Sequence, residues 1–217
     1  MNDALEISGI DAFFSGFPGS RYSTTSQEYT DKTGNVSGQA AYAGHVIDTT
    51  AVPNKALTTS QAISEACKIV GNNPDPNAIY FIYTASGAGT VSYCAWHSWG
   101  SCSNGKPIQV AYMPNLDGVS GCDPGDSVTG HSKGLSALAN VTAHELMEAL
   151  SDPRGVSWFD SSGNEKGDKC AWSFPAGNGV STFANGTQWK LQMEWSNAAY
   201  NAGTGLANQS GQKGCIY

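Results

Sequence analysis

Charge is what this sequence has least of. Only 13% of its 217 residues are charged, about half the usual share, and Gly, Ser, Thr and Asn fill the gap. The surface such a chain makes is polar but weakly charged, as in many extracellular proteins. Lys and Arg number 11 against 18 Asp and Glu, for a net charge of −7, and they form no cluster. That argues against nucleic acid as a partner, because phosphates demand a basic footprint. No apolar run approaches the roughly 18 residues of a membrane helix, so no membrane partner is expected either. The start, Met1-Asn2-Asp3, lacks the basic and apolar regions of a secretory leader. A secreted form is expected to have lost its leader, with Met1 added.

Six cysteines are present, Cys67, Cys94, Cys102, Cys122, Cys170 and Cys215, and no C-x-x-C pair occurs among them. The missing pair speaks against a zinc–thiolate site. An even count in such a composition reads as a set of disulfides formed in an oxidising compartment. Six cysteines allow about 15 connectivities, among which sequence alone does not choose. N-x-S/T sequons stand at Asn35, Asn140, Asn185 and Asn208, as chance allows in a chain rich in these residues.

Hydrophobic residues make up 40%, and this length buries a substantial core without help. No internal repeat and no linker breaks the chain. Residues 1–217 therefore read as one secreted α+β domain, a mixed sheet with a few helices and a loop-rich, disulfide-stabilised C-terminal part. Residues 1–38 read as a loosely ordered segment of loops with a short edge strand, anchored by Phe13, Phe14 and Phe17. A helix is expected over 59–70. Thr58 and Gln61 form its capping box, Ile63, Ala66, Cys67 and Val70 its apolar stripe, and Gly71 its stop. Strands are expected over 39–47, 78–84, 91–96, 108–113 and 189–195, from aromatic and β-branched content. A second helix is expected over 134–151, stopped by Asp152-Pro153.

That second helix carries the chemistry. In Val141-Thr-Ala-His-Glu-Leu-Met-Glu-Ala-Leu-Ser-Asp-Pro153, His144 and Glu148 are four residues apart and lie on one helix face, where two side chains can grip one ion. Glu145 takes the place that H-E-x-x-H metallopeptidases give their general base. Here the motif is H-E-x-x-E, so the second ligand is a carboxylate, a harder donor than imidazole. Leu135, Leu138, Ala139, Leu146, Ala149 and Leu150 form an apolar arc opposite His144 and Glu148. That pattern suits a plain amphipathic helix with a solvated face as well as it suits a site helix. Glu165 and Asp168 follow Glu148 by 17 and 20 residues. Either serves as third ligand, and a disulfide at nearby Cys170 would pin their loop. His97 and His131 are further candidates for ligand or proton donor.

These stretches resemble the phosphate-induced, EXORDIUM-like extracellular family in its microbial branch. The likeness rests on His144–Pro153, Trp158-Phe-Asp160 and Glu165-Lys-Gly-Asp-Lys-Cys170-Ala-Trp172. Upstream it rests on Tyr80-Phe-Ile-Tyr-Thr84, Tyr93-Cys-Ala-Trp-His97 and Ala111-Tyr-Met-Pro114. It covers roughly residues 75–217, with a weaker trace from about 40. Ser151 stands where microbial members have Thr, and plant members often lack the His-Glu pair. The resemblance implies secretion, disulfides and an association with cell walls. It does not imply a reaction, so the enzymatic reading rests on local chemistry.

The reading is a secreted zinc-dependent hydrolase, an endopeptidase acting on extracellular protein or peptide. Zinc is held by His144, Glu148 and Glu165 or Asp168, Glu145 is the base, and His97 steadies the oxyanion. The alternative is a non-catalytic cell-wall binding or signalling module, its six Trp and nine Tyr contacting glycan or protein. A variant of that alternative has a structural calcium ion on Glu148, Asp152, Glu165 and Asp168.

Overall fold

The computed structural model describes residues 4–32, 34–89, 91–177 and 179–217. The opening Met1-Asn2-Asp3 lies outside them. The architecture is α+β. Its centre is a three-stranded mixed sheet in the order β3-β5-β4, from β3 (Ile79–Tyr83), β4 (Trp96–Ser101) and β5 (Pro107–Met113). β3 runs parallel to β5, and β4 antiparallel. β1 (Thr30–Asp31) with β2 (Gly34–Asn35) and β6 (Ser181–Thr182) with β7 (Gln188–Trp189) form separate two-stranded ribbons. A second antiparallel sheet, β8-β10-β9, gathers the C-terminal part from β8 (Glu194–Trp195), β9 (Leu206–Ala207) and β10 (Lys213–Ile216).

Side-chain alternation along β5 divides the interior in two. Ile108, Val110 and Tyr112 join Ala62, Ala66 and Cys67 of helix α3 (Thr59–Ile69) in one cluster. Ala111 and Met113 join the larger cluster on the other face. There lie helix α4 (Lys133–Ser151), helix α1 (Ala4–Gly16) and the short helix α2 (Arg21–Thr24), which contributes Tyr22. The sheet is thus the middle of three layers. The same alternation on β4 sends Trp96 towards α3 and His97, paired with Ala111, towards α4.

The cap signals read in the sequence operate as expected. Thr58 and Gln61 make the capping box of α3. After it, Gly71 N–H reaches Lys68 and Asn72 N–H reaches Cys67, the paired bonds of a Schellman ending. Ser132, a cap that the sequence reading did not mark, starts α4, its hydroxyl accepting from Leu135 N–H. Disulfides join Cys67 to Cys102, Cys94 to Cys122 and Cys170 to Cys215. The first staples α3 to the end of β4, the second ties the approach to β4 to the turn before α4, and the third fastens the loop after α4 to β10. Among the described residues no helix is long and apolar enough to cross a membrane.

Four expectations need correction. Residues 1–38 are not a loose loop segment, because α1 occupies Ala4–Gly16 and docks on α4. Ile10, Phe13 and Phe17 are buried, and Phe13 meets the rings of Phe14, Phe17, Phe183 and Trp189. Gly9, a poor helix former in isolation, is there for contact. A Cβ at this position would come within 2.5 Å of Leu135 on α4, so its absence lets the two helices approach. Residues 39–47 form no strand and are mostly exposed. The strand expected at 91–96 begins instead at Trp96, after Cys94 has been drawn away to Cys122. The strand expected at 189–195 is two short pieces, β7 and β8, separated where Gln192 turns into the site.

Truncation of Phe13 tests the docking of α1. Phe13→Ala should cost about 3–5 kcal/mol in chemical denaturation, whereas Leu5→Ala, at a position 74% exposed, should change little. Equal stability of the two variants would mean that α1 is not part of the core.

Candidate metal centre

α4 is buried on nearly every side. The face opposite its apolar arc is covered too, by the loop that runs from Asp152 to Trp172 and by the segment around Gln192. Glu145 and Glu148 are 5% and 3% exposed, which removes the reading of a solvated helix face. Carboxylates so deep require partners, and they have them.

Glu148 is the meeting point. Its Oε1 lies 3.1 Å from His144 Nε2 and accepts a 3.0 Å hydrogen bond from Asp168 N–H. Its Oε2 lies 3.7 Å from His97 Nδ1. His97 Nδ1 is also 3.1 Å from Glu145 Oε2, and its Nε2 is 3.7 Å from Glu165 Oε1. His144 Nε2 stands 3.6 Å from Asp168 Oδ1, and its Nδ1 contacts the side-chain amide of Gln192. Two groups of donors result, His97–Glu148–Glu165 and His144–Glu148–Asp168, each with its ligand atoms within 4.8 Å of one another. All the expected ligands converge, as does His97. His131 does not, because it stacks on Trp189 and meets Gln188 O at 3.0 Å.

Two features that sequence reasoning missed hold the loop against α4. Gly167 has its backbone pressed on the site: a Cβ there would lie 2.9 Å from both Glu148 Oε1 and His144 Nδ1. Only glycine allows that approach. Lys166 next to it is wholly buried, its amine 3.6 Å from Glu194 Oε2 and 5.0 Å above the ring of Tyr29. Tyr22 donates a 2.8 Å hydrogen bond to Glu194 Oε1. Burial pushes the amine of Lys166 down and the carboxyl of Glu194 up to about 7. Gln192 is tied in separately, its N–H donating at 2.8 Å to Asn140 Oδ1 on α4. The spacing Glu165-Lys-Gly-Asp168 was the available signal for Gly167, whereas nothing in sequence marked Gln192.

The charges act strongly on one another. Burial opposes a charged ring at His97, but the hydrogen bond and charge of Glu145, with Glu165 and Glu148, outweigh it and raise its pKa to about 9. His144 is likewise raised against burial by Glu148 and Asp168. Burial and then the charge of Glu148 lift Glu165 to about 8, although His97 pulls the other way. Asp168, despite burial, is held low by His144. No family model, curated protein or solved structure matches the chain.

These shifts fix a pH dependence for the metal-free protein. His97 moves from an ordinary 6.5 to about 9 and Glu165 from 4.5 to about 8, so both bind protons more tightly folded than unfolded. The stability this gives is complete below the unfolded values and is lost as pH rises through the folded ones. The melting temperature of chelator-treated protein should therefore fall between about pH 5 and pH 9. A flat or rising profile would contradict this arrangement of charges.

Proposed function

We propose that this chain is a secreted zinc-dependent hydrolase, an endopeptidase acting on extracellular protein or peptide. The observation that carries the reading is the convergence of His144 and Glu148 of α4, beside Glu145, with Asp168 of the facing loop. Two imidazoles within a carboxylate set suit zinc better than calcium, which prefers oxygen ligands alone. The three disulfides support an oxidising, extracellular location. The likeness to the EXORDIUM-like family points the same way.

Zinc, when bound, supplies Lewis acidity that eases loss of a proton from water and polarises a carbonyl. The chain supplies the rest. His144, Glu148 and Asp168 form the binding set, and Gln192, its oxygen taken by Trp172 N–H, sets its amide nitrogen against His144 Nδ1. Glu145 takes the proton of the attacking water and returns it to the leaving amine nitrogen. His97 has both nitrogens turned to carboxylates, so it positions Glu145 in place of the oxyanion role expected for it. Among the described residues β4 has a neighbouring strand on one side only. A hollow of about 410 Å³ lies against Trp96, His97 and Ser98 of that strand and Leu57, Thr58 and Thr59. An extended peptide adding to such an edge gains main-chain hydrogen bonds whatever its sequence.

Glu145→Gln keeps the size of the side chain and removes the proton acceptor. The variant should bind metal as the parent does and cleave an unfolded protein substrate slower by a factor of about 10² to 10⁴. Equal rates in the two would sink the mechanism. Metal-loaded parent without hydrolytic activity would favour the binding module, and stoichiometric calcium in place of zinc the structural ion.

A further inference from the structure

We infer that this centre binds two divalent transition-metal ions, with the Glu148 carboxylate bridging them. The inference rests on the reading of the site as a metal centre and adds a second ion to it.

Glu148 is the shared member of both donor groups, and its two oxygens are divided between them. Oε1 is the atom beside His144 Nε2 and Asp168 N–H, whereas Oε2 is the atom on the His97 side, 3.7 Å from Nδ1 of that ring. One oxygen for each side is the arrangement by which a carboxylate spans ions about 3.5–4 Å apart. The two imidazoles are held differently. His97 Nδ1 lies against the Glu145 carboxylate, whereas His144 Nδ1 meets the amide nitrogen of Gln192, whose oxygen accepts from Trp172 N–H. Nε2 of each ring faces the cluster, 3.7 Å from Glu165 Oε1 in one case and 3.6 Å from Asp168 Oδ1 in the other. An imidazole whose far N–H donates to a carboxylate, as at His97, is the usual setting of a metal-ligating histidine.

Charge supports the count. With both rings neutral, as ligation requires, Glu145, Glu148, Glu165 and Asp168 bring four negative charges. Two divalent ions balance all four, whereas a single ion on His144, Glu148 and Asp168 leaves Glu145 and Glu165 with the ring of His97 alone. Unsatisfied acid oxygens lie on this side of the helix. Glu165 Oε1 is buried with no hydrogen-bond partner among the described residues. Asp152, one turn beyond Glu148, is wholly buried; its Oδ1 accepts from Val156 and Ser157 N–H, and its Oδ2 has no hydrogen-bond partner among the described residues. The charge of Asp152 bears on Glu165, so it adds to the negative potential that the second cation offsets. A mixed imidazole and carboxylate set of this kind suits zinc, manganese, iron(II) or cobalt(II).

The test is stoichiometry on chelator-treated protein with its disulfides intact, reloaded with Zn²⁺ or Co²⁺ and assayed for metal per chain. The parent should take up two ions, and the Co²⁺ form should give a weaker electron paramagnetic resonance signal than two isolated ions, through coupling across the bridge. His97→Ala and His144→Ala should each retain one ion, and Glu148→Gln should lose tight binding of both. A melting curve on each variant separates lost metal from lost fold, and His97→Gln replaces His97→Ala if the latter does not fold. One ion in the parent, kept in His97→Ala and lost in His144→Ala, would overturn the pair and leave the hydrolase reading standing. Two ions with an uncoupled signal, or two that survive His97→Ala, would overturn the bridge. No stoichiometric ion would overturn both readings.

Discussion

Acidic side chains repel one another, and a protein interior weakens that repulsion far less than water does. Two carboxylates about 4 Å apart at an effective dielectric near 20 oppose each other by about 4 kcal/mol. Around Glu148 such groups gather, Glu145 on the helix, Asp152 at its end, and Glu165 and Asp168 on the loop. The rings of His97 and His144 and the carboxyl of Glu165, all raised in pKa, offset the repulsion. Such a gathering persists only if its carriers cannot swing apart. α4 is held between α1 and the central sheet, with Tyr83 OH joined to Thr142 Oγ1 at 2.7 Å. The loop is held by the bridge from Cys170 to Cys215 and by the buried Lys166 beside Glu194. The close seat of Gly167 sets the distance at which it meets the helix.

The layer arrangement follows from the same need. A strand that buries alternate residues on two faces can bring His97 to α4 only by giving Trp96 to α3. The staple from Cys67 to Cys102 keeps α3 on that other face. Because β4 is the outermost strand of its sheet, His97 reaches the charged cluster from the side where the chain is open. Rigidity is concentrated behind the site, in α4 and β5, and access in front of it.

Legibility in the sequence followed how locally each feature is encoded. α3, α4, β3 and β5 could be read because caps and apolar patterns are short-range signals, and the H-E-x-x-E pair could be read because helix geometry fixes its face. α1 was obscured by Gly9, whose purpose lies on a different helix. The start of β4 was obscured because Trp96-His-Ser-Trp-Gly-Ser101 has little strand character, and a disulfide and a partner strand decide its limits. The choice between Glu165 and Asp168 stayed open because it depends on where a 3-10 turn at Asp168–Cys170 places the chain. Both reach Glu148 from opposite sides, an outcome that spacing does not encode. Gln192 was invisible for the same reason.

Asn140 lies at the middle of α4, wholly buried, with its side-chain oxygen occupied by Gln192 N–H. It also begins an N-x-T sequon, Asn140-Val-Thr142, and N-glycosylation attaches a bulky sugar to such an asparagine. A glycan there would displace Gln192 from its place behind His144 and keep α4 from closing into the core. Any host that glycosylates nascent chains therefore competes directly with the folding of this protein. Host cells without that modification avoid the conflict, as does a Thr142→Val variant, which keeps the Asn140 amide and gives up the Tyr83 hydrogen bond.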